Sequence, residues 1–126
     1  MNKYNLNSFD FNEAISLRRD LHKIPETAFS EIQTSKYIVK YLRDLGILLE
    51  DGIAKTGIIA ELKGLKESKR AKKTILLRAD MDGLPIKEET GLAFSSTNGN
   101  MHACGHDGHM AILLSVAKIL SQNLDI

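Results

Sequence analysis

The stretch Asn100-Met101-His102-Ala103-Cys104-Gly105-His106-Asp107-Gly108-His109-Met110 holds three of the chain's four histidines and its only cysteine. Gly105 and Gly108 separate the polar groups, and an apolar run from Met110 to Leu120 follows at once. Donor side chains set just ahead of a buried helix read as part of a metal site. Cys104 and His106 lie two residues apart across Gly105, and thiolate and imidazole suit zinc and comparable divalent ions. Gly105 lets the backbone turn so that both donors face one ion. A carboxylate would hold His106 in the ligating tautomer, and Asp107, Asp80 and Asp82 are candidates. His102 and His109 are candidate ligands, substrate contacts or supporting groups. Two other readings stay open on the residues alone. Cys104 could be a nucleophile with a histidine base, although no local signature of a cysteine hydrolase is present. It could equally be an inert thiol in a structural cluster.

The run after Met110 carries Ala111, Ile112, Leu113, Leu114, Val116, Ala117, Ile119 and Leu120 and predicts a helix over 108–122 that is apolar nearly all round. Such a helix must be covered on most sides. Upstream, Thr74-Ile75-Leu76-Leu77-Arg78-Ala79-Asp80 reads as a strand buried on both faces. Asp80 and Asp82 stand where it runs out, the place at which open α/β sheets collect ligands. There they could bind a metal, orient a metal-bound histidine or serve as acid–base partners; the plain alternative is an aspartate turn.

Two further strands are expected at 47–50 and 56–62. Two helices precede them. The first spans 10–22, capped by Asp10 with Glu13 three residues on, carrying Ala14, Ile15, Leu17 and Leu21, and ended by Pro25. His22 in its last turn either interacts with the helix C-terminus or belongs near the active site. The second starts at Ser30, with Gln33 completing a capping box. Its Ile32, Ile38, Val39, Leu42 and Leu45 recur at helical spacing, and Gly46 stops it. Helices, strands and a final helix predict an α/β fold, a layered sheet with flanking helices.

The 126 residues suffice for one domain. Hydrophobic residues make up 43% and charged ones 26%, a globular balance. A net charge of +1 gives no electrostatic case for nucleic acid or an anionic membrane. The basic run from Lys63 to Lys73 reads as a solvated turn. A lone cysteine makes no internal disulfide. The N-terminal residues lack a signal pattern, and Ser115 and Lys118 interrupt the longest apolar stretch, so a soluble, cytoplasmic protein is expected.

Four segments, taken together, resemble one family: Arg18-Arg19-Asp20-Leu21-His22-Lys23-Ile24-Pro25-Glu26, Thr56-Gly57-Ile58, Leu77-Arg78-Ala79-Asp80-Met81-Asp82-Gly83-Leu84-Pro85-Ile86, and Asn100 to His109. These look like the successive signatures of the metal-dependent amidohydrolases that include hippurate hydrolases, N-acyl-amino-acid amidohydrolases and N-acetyldiaminopimelate deacetylases, relatives of the dinuclear zinc aminopeptidases. The resemblance implies hydrolysis of the amide bond of small N-acyl amino acids, with two divalent ions (Mn, Zn or Co) per complete site. It implies that Cys104 and His106 are metal ligands and that Asp80 and Asp82 belong to the active site, without choosing between them. It also implies that 1–126 is the N-terminal part of a zinc-aminopeptidase-like catalytic domain. Longer members add a glutamate pair (base and ligand), further histidines and an inserted smaller domain, and are often homo-oligomeric. The chain alone is accordingly expected to be inactive. A non-catalytic metal-binding or partner-binding fragment is the alternative.

Overall fold

In the computed structural model, which describes residues 9–65 and 73–125, three helices surround a small sheet. The order is α1 (Phe11–His22), α2 (Ile32–Asp44), β1 (Leu48–Ile53), β2 (Gly57–Glu61) and α3 (His106–Ser121). Most of the Lys63–Lys73 run lies outside the described residues. No helix among those described is long and apolar enough to cross a membrane.

Each helix starts and stops for a local reason. Asp10 Oδ1 accepts the Asn12 and Glu13 amides at 2.8 and 3.2 Å, the expected cap. The Glu13 side chain does not return to the cap; it takes the Tyr41 hydroxyl at 2.9 Å and the Lys118 ammonium, tying α1 to α2 and α3. At α2 the expected Ser30 cap does not form. Glu26, seven and eight residues upstream, accepts the Gln33 and Thr34 amides at 3.1 and 2.9 Å. A charged carboxylate reaching in from the preceding turn satisfies two orphan amides at once and favours the positive helix end. Gly46 ends α2 at φ +73. Its amide bonds Arg43 O at 2.9 Å and the Ile47 amide bonds Leu42 O at 3.1 Å, the paired pattern of a Schellman stop.

The core is where the three helices and the start of β1 meet: Leu17 and Leu21 of α1, Ile38 and Leu42 of α2, Ile47, and Met110, Ala111 and Leu114 of α3. Leu17, Leu21, Ile38 and Leu42 are positions expected from helical spacing, whereas Ile15 and Ile32, expected on the same stripes, are 45% and 50% exposed. β1 and β2 pair antiparallel, with an irregularity between Asp51 and Ile53. Gly52 sits there at φ +77, a bulge geometry that suits glycine.

The third strand is a correction. Residues 74–80 join no ladder among the described residues, and Ile75, Leu76 and Leu77 are 84%, 87% and 51% exposed rather than buried on both faces. The side chains have strand chemistry, but a strand needs a neighbour for its amides and carbonyls, and local sequence does not supply one. α3 shows the same effect. Met110, Ala111 and Leu114 are buried while Ile112 is 64% exposed, so only one side of this apolar helix is covered.

A buried ionic chain joins the long loop before α3 to the helices. His22, at the end of α1, donates from Nδ1 to Asp107 Oδ2 at 2.7 Å and from Nε2 to Glu88 Oε1 at 3.0 Å. Arg18 Nε also reaches Asp107 Oδ2, at 2.7 Å. Arg18 Nη2 also lies 3.3 Å from His22 Nδ1, so His22 and Arg18 together face the two carboxylates. Burial penalises the Glu88 carboxylate, yet hydrogen bonds from the Thr90 hydroxyl, the Ser96 amide and His22 outweigh it and hold its pKa at about 2, below the ordinary 4.5.

Two outcomes are expected. The depressed Glu88 pKa contributes stability that is complete above about pH 4.5 and is lost as pH falls toward 2. Urea midpoints measured across that window should fall, and Glu88→Gln should flatten the fall. Exposed apolar side chains at 75–77 and Ile112 should drive association or poor solubility; light scattering that finds a monodisperse, cooperatively folding monomer would contradict this.

Candidate metal centre

The loop carrying the aspartates is anchored before it reaches the histidines. Leu84 and Met101 exchange amide–carbonyl bonds, both at 2.9 Å. The Gly83 amide donates to Glu26 O at 2.7 Å, and a Cβ on Gly83 would stand 2.8 Å from the Pro25 Cβ. Only glycine allows the loop this close to the corner after α1. Pro25 O also accepts Asn98 Nδ2 at 2.7 Å and Asn100 Nδ2 at 3.2 Å, which brings the 98–101 segment to the same corner.

Residues 102–105 then turn, with the Gly105 amide on His102 O at 3.1 Å. Gly105 takes φ +79 at the N-terminus of α3, a left-handed conformation that favours glycine. The helix starts at His106, two residues earlier than expected from the apolar run. His106 and Asp107 are therefore helical residues of the first turn, with their directions set by α3.

The structure separates the two aspartates. His106 Nδ1 lies 3.0 Å from Asp82 Oδ1 and 2.8 Å from Asp82 O. Asp80 instead pairs with Arg78. Asp82 is thus the carboxylate beside His106. A ring that donates from Nδ1 keeps the Nε2 lone pair for an incoming ion, the usual carboxylate–histidine–metal arrangement. Cys104, two residues back, is a free and exposed thiol. Nitrogen and sulfur donors on one turn fit one side of a divalent metal centre. Among the described residues, no three His, Cys, Asp or Glu side chains are grouped so as to hold an ion.

The remaining histidines fall into two sets. His109 is exposed on α3, its ring 5.7 Å from that of His106. His102 is buried, with its ring 6.4 Å from that of His22. Burial holds the His102 pKa below the usual histidine value, against the opposing pull of Asp107. The Asp82 backbone beside His102 also opposes that fall, more weakly, and Asp107 Oδ1 has no hydrogen-bond partner among the described residues. His22 and Asp107, both flagged by the sequence, meet each other rather than His106. Glu88 was not foreseen. It lies in an aperiodic loop 66 residues from His22, and no local pattern announces that pairing.

The comparisons with known proteins agree with this geometry. The model of peptidase family M20/M25/M40 matches residues 76–125, the span that holds Asp80, Asp82 and all of α3. Thermostable carboxypeptidase 1 of Saccharolobus solfataricus is 44% identical over 114 residues, 89% of this chain and 28% of that protein. N-acetyldiaminopimelate deacetylase of Listeria welshimeri is 51% identical over 107 residues, 83% of this chain and 28% of that protein. N-acetylcysteine deacetylase of Bacillus subtilis is 46% identical over 110 residues, 86% and 28% of the two chains. The chain thus spans under a third of the length of these relatives. Among solved structures, the Bacillus subtilis YXEP protein, described as a dinuclear metal-binding peptidase of the M20 family, superposes with a TM-score of 0.82 at 43% identity, covering 90% of this chain and 31% of that one. These likenesses fall on the same turn, loop and helix that hold the candidate ligands, and over them the chain is similar to members of the peptidase family M20/M25/M40.

Proposed function

We propose that this chain supplies one wall of the dinuclear metal centre of an amidohydrolase that cleaves N-acyl amino acids. The observation that carries the reading is His106 at the head of α3, its Nδ1 held by Asp82, two residues after the free and exposed thiol of Cys104. Supporting it, two relatives are named for deacetylation of N-acetyl amino compounds, and the YXEP structure is described as binding two metals.

In this reading Cys104 and His106 are ligands. Asp82 orients His106, Asp80 faces the same active-site mouth, and His102 and His109 stand near the substrate. Asp107 and His22 hold the turn from behind. Cys104 and His106 would hold part of a pair of divalent ions (Mn, Zn or Co), which would supply Lewis-acid activation of the amide carbonyl and of water. A carboxylate base would carry the proton from water to the leaving nitrogen. The base would be the glutamate that the family resemblance implies. In this reading the chain is the N-terminal part of a catalytic domain that acts on small-molecule substrates in the cytoplasm.

The test is a chimaera in which this chain replaces the matching part of the Listeria welshimeri deacetylase. Metal-dependent release of acetate from N-acetyl amino acids is expected, with kcat/KM reduced on the order of 100-fold or more by Cys104→Ala or His106→Ala. A folded chimaera that binds metal but does not turn over would favour a non-catalytic metal-binding module instead. The 126-residue chain alone, assayed with hippurate and N-acetyl amino acids plus Mn, Zn or Co, should show no appreciable turnover; robust turnover abolished by Cys104→Ala would overturn that expectation.

A further inference from the structure

Glu88 lies outside every helix and strand, yet its side chain is fully buried. Oε1 accepts the Thr90 hydroxyl at 2.5 Å and His22 Nε2 at 3.0 Å, and Oε2 accepts the Ser96 amide at 2.7 Å. Three donors leave the carboxylate one orientation. His22 is fixed by it on one side and passes that constraint to Asp107 on the other. Asp107 directly follows His106, so their Cα atoms are about 3.8 Å apart. The Asp82 contact orients the His106 ring, and the Asp107 contact holds the backbone from which that ring projects. Without Glu88 the His22 ring loses its second acceptor and is free to turn away from Asp107. A carboxylate buried in this way costs free energy that simple packing would avoid, and it is aimed along a line that ends at the turn bearing Cys104 and His106.

We propose that Glu88 is a positioning residue for the metal-binding turn: through His22 and Asp107 it sets the placement of the first turn of α3, and so of His106. This rests on the metal-site reading above. A metal site needs its ligands within about 0.5 Å of productive geometry, and partners one shell behind the ligands commonly change metal affinity 10- to 100-fold. Glu88 is one residue further back, so a change near the lower end of that range is expected.

The probe is Co²⁺ alone, titrated into the chimaera with the Listeria welshimeri deacetylase, which carries both walls of the site, and followed by the thiolate-to-cobalt absorption band. In the parent chimaera the band should appear and be lost in Cys104→Ser. Glu88→Gln should weaken Co²⁺ binding about tenfold. Thr90→Val removes one of the three donors to Glu88 and should weaken it roughly threefold; it carries the test if Glu88→Gln does not fold. Thr56→Val removes a buried hydrogen bond to Glu31, away from this line, and should lower thermal stability while leaving Co²⁺ affinity unchanged. Unchanged affinity in both Glu88→Gln and Thr90→Val would overturn the positioning role and leave the metal site standing. Equal weakening by Thr56→Val would overturn it too, since loss of stability alone would then account for the effect. Absence of any Cys104-dependent band in the parent chimaera would bring down the metal-site reading itself, and the positioning role with it.

Discussion

The buried line Glu88–His22–Asp107 is the constraint on which the rest of this structure depends. It joins three parts of the chain: the end of α1, the aperiodic loop after Pro85, and the first turn of α3. Apolar packing holds the helices together through Leu21, Ile38, Leu42 and Met110, but it is non-directional. Hydrogen bonds between buried ions are directional and costly to leave unmade. The core therefore brings α1 and α3 side by side, and the ionic line sets how α3 is turned and where the loop lies. Arg18, partly exposed, completes the balance by facing the same Asp107 oxygen.

The corner at Pro25 and Glu26 has a second organising role. One carbonyl takes two asparagine side chains, the next takes the Gly83 amide, and the Glu26 carboxylate caps α2. Three segments converge on two residues. This is why the loop carrying Asp82 can be irregular and still well placed: its backbone groups are satisfied by a fixed point rather than by a sheet. Gly83 is required there because a methyl group would meet the proline.

Much of this was legible in the residues. The three helices, the Gly46 stop, the Asp10 cap and the core positions follow from spacing and capping chemistry, which act within a few residues. The Cys104–His106 pair was readable from ligand type and spacing. Three things were not. Ser30 has the right chemistry for a cap, but Glu26 is charged and reaches the same amides, so it wins. Residues 74–80 have strand composition without a partner among the described residues. Asp80 and Asp82 are equivalent in sequence, and only His106, 24 residues from Asp82, distinguishes them.

The sequence by itself determined the local elements, the apolar faces and the set of donor atoms, because each depends on neighbours within a turn or two of chain. It also carried the family likeness, since four short motifs stand in order. Only the tertiary structure decided which carboxylate meets which histidine. Asp82 goes to His106, and Asp107 and Glu88 go to His22. Those pairings span 24, 85 and 66 residues. At such separations the partner is chosen by where the packed helices deliver the chain, and the cost of leaving a buried charge unpaired then makes the choice unique.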